Sequence, residues 1–204
     1  MEASREYVES NDQKVVLNIG CGFRKMEGAI NIDAYDTCNP DMILDLNETP
    51  WPWDDDSVDE IKAFHIMEHI PDWWGAFTEC ARILKPEGTL EIRVPHSSSD
   101  TALSYRDHLH IFTRHSFDGT LDALQGRLLN AWFATQNAVP LIRIGYILVP
   151  FEAYWWMTKW WSNWMLRFCA NHLRNFIWEQ RFIFQKKPIA DYKMKIAGKI
   201  RNKG

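Results

Sequence analysis

The chain has 204 residues, 46% hydrophobic and 25% charged, with a formal net charge of −4. This suits one globular domain with a large core. It lacks any apolar run of about 18 residues, which excludes a transmembrane helix, and its polar, acidic first residues do not read as a signal peptide.

In chain order, Val15–Ile19 is a short β-branched run ending at glycines, and reads as a buried strand. Ala29–Asp33, Met42–Asp45 and Val58–Phe64 follow as strands two to four. Asp72 caps a helix to about Leu84, which Lys85-Pro86-Glu87-Gly88 stops and turns. Thr89–Val94 is a fifth strand, and Pro95–Arg114 a polar, His-rich loop. A helix runs from about His115 to Leu129. Leu141–Val149 is a long apolar strand, Ala153–Ile177 reads as helical, and Arg181–Gln185 is a last short strand. Strands alternating with helices predict a mostly parallel sheet with helices on both faces. In such sheets, ligands bind at the carboxyl ends of the strands.

Gly20-Cys21-Gly22 follows the first strand directly. Glycine permits a tight turn and close approach of a ligand to the backbone. Asp33 ends the second strand, where a carboxylate can accept both ribose hydroxyls. Asp45 ends the third, where it can accept from an adenine amine. Each aspartate taken alone also fits a turn or helix-cap role.

The runs VVLNIGCGFRKMEGAINIDAYD, DLNETPWPWDDDSVDEIKAFHIMEHI and ARILKPEGTLEIRVPH resemble the small class I methyltransferases that use S-adenosylmethionine. The resemblance covers roughly residues 14–117 and the last strand. It implies a Rossmann-like α/β fold with a seven-stranded sheet. It also implies that Gly20 and Gly22 lie against the methionine part of the cofactor, that Asp33 holds the ribose, and that Asp45 with the Leu46 amide reads adenine. Asn18, Cys21, Arg24, Phe64 and His65 complete the expected cofactor set. Two features depart from the family pattern. Arg24 occupies the third glycine position, where its guanidinium would meet the cofactor carboxylate. Only about seven residues separate Gly22 from strand two, whereas a parallel crossover normally takes a dozen or more, so the first crossover is shortened. The early Asp33 also argues against a nicotinamide cofactor, whose acid comes about 20 residues on.

His65-Ile66-Met67-Glu68-His69 comes straight after strand four. On a helix, His65, Glu68 and His69 would share one face. HxxEH is the ligand pattern of one class of zinc proteases. A second reading makes the trio ligands of a divalent ion, with the leading histidine favouring a softer ion such as Zn²⁺. In the favoured reading there is no metal: His65 lines the pocket, while Glu68 and His69 orient each other. His108, in the segment DHLHIFTRHSF, is a candidate general base toward a hydroxyl acceptor, or else shapes the lid. His65, His69 and His108 are thus the catalytic candidates. Methyl transfer itself relies chiefly on positioning.

Eleven tryptophans are unevenly placed, and residues 150–179 form a Trp-rich helical insertion before the last strand. At 100° per residue, Met157, Trp161, Trp164, Met165, Phe168 and His172 share an apolar face, expected to pack on the core. Trp156 and Trp160 fall on the polar side. Exposed tryptophans suit a partner, a lipid surface or an apolar substrate.

Charge is unevenly spread. Residues 1–60 carry 15 acidic and 4 basic side chains, and residues 186–204 carry 7 basic and one acidic. The acidic half argues against nucleic acid as a partner. The basic tail, 187–204, suits anionic lipid or a solvated terminus. Cys21, Cys38, Cys80 and Cys169 show no CxxC pairing and read as reduced thiols. The expectation is a single cytoplasmic domain over 1–204, able to touch a membrane at its surface. It would methylate oxygen or nitrogen of a small-molecule, lipid- or glycan-linked acceptor. The alternatives are a non-catalytic binding module of the same fold, working through the tryptophan helix, and an HxxEH metalloprotease.

Overall fold

The structure is a computed structural model that describes residues 14–117, 141–150, 158 and 160–187. Most of the helix expected after His115, Trp156 and the tail beyond 187 lie outside these residues. Seven strands form one sheet in the order β3-β2-β1-β4-β5-β7-β6. β1 (Val16–Ile19), β2 (Ile30–Asp33), β3 (Met42–Ile43), β4 (Val58–Phe64) and β5 (Leu84–Pro95) are parallel. β7 (Ile177–Lys186) lies antiparallel to β5 and to β6 (Leu141–Pro150).

α1 (Trp73–Ile83) begins where expected: the Asp72 side chain accepts from the Gly75 amide and caps it. Its buried face, with Phe77 and Cys80, joins Leu17, Ile19, Ile61, Ile92, Phe182 and Phe184 in the main core. Each such large side chain contributes about 1.5–3 kcal/mol by leaving water. The expected stop after α1 is not a separate loop. β5 starts at Leu84 and absorbs Lys85–Gly88 as an irregularity, with Glu87 at φ 67°.

The alternate side chains of β4, β5 and β7 point to the opposite face and form a half-buried charge ladder. Lys62 binds both Glu60 and Glu91, Arg93 reaches Glu91 at 2.7 Å, and Arg181 reaches Glu179 at 2.6 Å. Burial disfavours the Glu91 charge, but its bonds to Arg93 and Lys62 outweigh that and hold its carboxyl below the usual range.

α3 (Asn163–His172), capped by Ser162, lies against β6 and β7; the short α2 (Asp100–Ser104) precedes it in the chain. The expected helix through Ile177 stops at His172. Asn175 adopts a left-handed φ of 55°, and its side chain accepts the Asp100 amide at 2.6 Å. The freed residues from Ile177 extend β7 well ahead of the expected Arg181.

Candidate cofactor and acceptor site

The β1–β2 crossover carries no helix. Side chains satisfy its backbone instead. Asn18 donates to the Arg24 carbonyl at 3.1 Å and to Asn31 Oδ1 at 2.9 Å. Asn31 in turn takes the Met26 amide at 2.7 Å and donates to the Met26 carbonyl at 3.1 Å. Asp41 accepts from the Asn31 amide at 2.8 Å and its side chain at 2.7 Å. Those bonds hold Asp41 below the usual carboxylate range. Gly20 (φ 63°) and Gly22 (φ 49°) are left-handed, which favours glycine. A Cβ on Gly20 would stand 2.3 Å from Ile66, whereas one on Gly22 would meet nothing within 4 Å. The backbone at Gly22 is therefore open to a ligand.

Asp33 closes this turn. Its Oδ2 accepts the Gly22 amide at 2.8 Å and its Oδ1 the Tyr35 amide at 3.1 Å. A carboxylate has about four acceptor sites, so these bonds leave room for hydroxyl donors. Cys21 is buried, and burial followed by the Asp33 charge pushes its thiol up, away from a thiolate.

An open, shallow cleft lies beyond β1 and β4; its empty space of about 390 Å³ includes open solvent. Asn18, Gly20, Cys21, Arg24, Phe64 and His65, all expected at the cofactor, line it. Met26, Arg93 and Glu179 complete it and were missed from the sequence. Gly22, Asp33, Asp45 and Leu46, also expected at the cofactor, are not in its lining. Asp45 Oδ1 holds the Asn47 amide at 2.9 Å, which is a turn role, and Leu46 is buried with its carbonyl on Trp51 Nε1 at 3.2 Å.

His65 sits in the left-handed region at φ 54°, where histidine is tolerated better than most side chains. The turn carries its ring to Trp178, stacked at 5.7 Å, and places Nε2 2.9 Å from Glu179 Oε2. Nδ1 lies 3.4 Å from Glu68 Oε1. Burial opposes its charge, yet the hydrogen bond to Glu179 and the nearby Glu68 carboxylate prevail and raise its pKa to about 9. At neutral pH it is an imidazolium on the cleft wall, a donor rather than a base.

The HxxEH segment is a turn and not a helix, because His65 is left-handed and Pro71 lies just ahead of α1. The protease ligand set is not assembled, since His65 turns to Glu179. Instead His69 meets His108 edge-on at 4.9 Å between ring centres. His69 Nδ1 lies 3.0 Å from the Asp107 carbonyl. Glu68 is 1% exposed, and neither carboxylate oxygen accepts a hydrogen bond; the buried His108 Nδ1 also lacks one.

On α3 the apolar face is the reverse of that expected. Cys169 and Ala170 are buried against Leu148, Phe176 and Ile177. Trp164 and Phe168 are 72% and 50% exposed, and stack on each other at 6.0 Å. Trp160 is also exposed. Small side chains let the helix approach the sheet closely, a packing advantage that hydrophobicity alone does not register.

Residues 17–92 match a family model described as a methyltransferase domain. The solved structures similar to the chain include a SAM-dependent methyltransferase from Archaeoglobus fulgidus. It is 18% identical, with 90% of this chain and 91% of that chain covered and a TM-score of 0.56. The YcgJ protein of Bacillus subtilis is 15% identical, with 89% and 95% covered and a TM-score of 0.53. The geranyl diphosphate C-methyltransferase of Streptomyces coelicolor A3(2), solved with Mg²⁺, geranyl diphosphate and S-adenosyl-L-homocysteine, is 10% identical, with 91% and 76% covered and a TM-score of 0.55. No curated protein sequence matches the chain. The strand order and the glycine turn at the end of β1 agree with the methyltransferase-domain match over residues 17–92, and the solved structures share this fold.

Proposed function

We propose that this chain is a class I S-adenosylmethionine-dependent methyltransferase acting on an oxygen or nitrogen of a small-molecule, lipid- or glycan-linked acceptor, with its cofactor in the cleft beyond β1 and β4. The observation that carries this reading is the convergence of six expected residues, from Asn18 to His65, on one opening. When bound, S-adenosylmethionine supplies a methyl group on an electrophilic sulfonium. Gly20 and Gly22 offer bare backbone to the methionine part, and Arg24 offers a guanidinium to its carboxylate. Asp33 takes the ribose hydroxyls with the lone pairs it does not spend on Gly22 and Tyr35. Asp45, with the Leu46 amide, reads adenine from the sheet edge. Phe64 and His65 form the wall, and His69 and His108 address the acceptor. Positioning in line with the sulfonium supplies most of the catalysis. Calorimetry with S-adenosylmethionine and S-adenosylhomocysteine tests this reading. Micromolar binding of both is expected, and no heat at millimolar ligand would sink it.

A second reading concerns α3. Its exposed Trp164 and Phe168, with Trp160 just before the helix, favour contact with a lipid surface or an apolar acceptor. No helix among the described residues is long and apolar enough to cross a membrane.

A further inference from the structure

We propose that Glu68, His69 and His108 form a site for a divalent transition metal, best suited to Zn²⁺, on the acceptor side of the cleft. One ligand atom from each lies within 4.8 Å of the others. Ligand atoms of a tetrahedral zinc site stand about 3.3 Å apart, given bonds of about 2.0–2.2 Å. A side-chain shift of an ångström or so closes the cluster.

The strongest argument is the state of Glu68. Its carboxylate is buried, and neither oxygen accepts a hydrogen bond. The His65 imidazolium, bonded to Glu179 through Nε2, stands 3.4 Å from Glu68 Oε1 through Nδ1 and partly offsets the charge without giving either oxygen a hydrogen bond. Buried charges in proteins are paired or coordinate metals. His108 adds a buried Nδ1 with no hydrogen-bond partner. A carboxylate and an imidazole nitrogen that are buried without hydrogen bonds, on residues whose ligand atoms cluster within 4.8 Å, are what a bound cation would satisfy.

The surroundings are built for it. The Glu68 carbonyl accepts the Leu109 amide at 2.8 Å and the His110 amide at 3.3 Å, which ties the loop after β5 to the loop after β4. That tie brings His108 beside Glu68. His69 Nδ1 donates to the Asp107 carbonyl at 3.0 Å, with the Asp107 carboxylate 3.4 Å away. Metal-binding histidines characteristically give their second nitrogen to such a partner. With Nδ1 donating, Nε2 is left with the lone pair. Two imidazoles and one carboxylate suit zinc and its neighbours, whereas Mg²⁺ and Ca²⁺ call for all-oxygen sets. His65, first in HxxEH, is not a ligand. Three protein ligands also leave a coordination position open. There the ion would bind and orient an acceptor oxygen or nitrogen; this role, unlike the site itself, rests on the methyl-transfer reading.

The test is zinc titration of the full chain after chelator stripping, against a chromophoric chelator. One Zn²⁺ per chain is expected. Glu68→Gln and His108→Ala should each weaken uptake at least a hundredfold, with circular dichroism showing that both remain folded. His65→Gln should change it less than tenfold. No uptake by the unaltered chain, or unchanged affinity in both ligand variants, overturns the site. So does a loss in His65→Gln equal to that in His108→Ala. S-adenosylhomocysteine binding by the same stripped chain is read separately. Its failure would sink the cofactor reading and leave the zinc result standing.

Discussion

The Asp33 carboxylate holds the Gly22 amide at 2.8 Å, so the acid after β2 and the glycine turn after β1 move as one unit. Asp33→Ala removes both the tether and the proposed ribose acceptor. S-adenosylhomocysteine affinity should fall by about 1.5–3 kcal/mol, the range for hydrogen bonds to a charged group. Calorimetry decides; an unchanged affinity would reject the ribose assignment.

The two glycines should separate folding from binding. Gly20→Ala puts a Cβ 2.3 Å from Ile66 at a left-handed residue, and should cost about 2–5 kcal/mol of stability. Gly22→Ala meets open space, so only the backbone penalty of about 1–2 kcal/mol applies. If the cofactor lies against Gly22, that variant should melt only a little earlier yet bind S-adenosylhomocysteine at least tenfold more weakly. Matched melting and matched affinity in the two variants would contradict this.

Acid should loosen the loop before β4. Arg82 binds Glu79 at 2.9 and 2.8 Å, and Glu79 also takes the Trp51 amide at 2.8 Å. The Arg82 bond, against burial, holds the Glu79 carboxyl below its ordinary range. Its stabilisation is therefore complete above the unfolded value of about 4.3 and is lost as pH falls through the lower folded value. Glu79→Gln should cost about 1.5–3 kcal/mol at neutral pH and flatten the acid limb of urea midpoints plotted against pH. A limb as steep as that of the unaltered chain would show that other carboxylates set it.

Helix α3 offers a test of its reversed face. Trp164→Ser and Phe168→Ser should shift stability by less than about 0.5 kcal/mol, as expected for exposed positions. Ala170→Phe should cost about 1–3 kcal/mol by overpacking against β6. If the two serine variants also lose sedimentation with anionic vesicles, α3 is a lipid-contacting surface; equal sedimentation would refute that contact.

Much of the frame was legible in the sequence because its signals are local. Val58–Phe64 was read to the residue, and Asp72 from its capping chemistry. The shortened first crossover was visible in the spacing of Gly22 and Asp33. Long-range ties were not legible. Phe176-Ile177-Trp178 continues a helical pattern, but the helix ends at His172 and the chain beyond it is held by long-range bonds, such as that from Asn175 to Asp100, 75 positions away. With β7 placed too late, Glu179 could not be seen at the cleft. The left-handed His65 likewise hid the turn that parts it from His69 and brings His108 in its place.

The helix-free crossover also bears on how the sheet assembles. Asn18 and Asn31, which face each other across β1 and β2, are only 13 positions apart, whereas Gln185 of β7 reaches back 98 positions to Glu87. The entropy of loop closure grows with the logarithm of length, so the first pairing costs about 1.8 kcal/mol less to close than the second. The cofactor turn is thus built on one of the sheet's less demanding parallel contacts, while Glu179, across the same cleft, waits for one of the most distant.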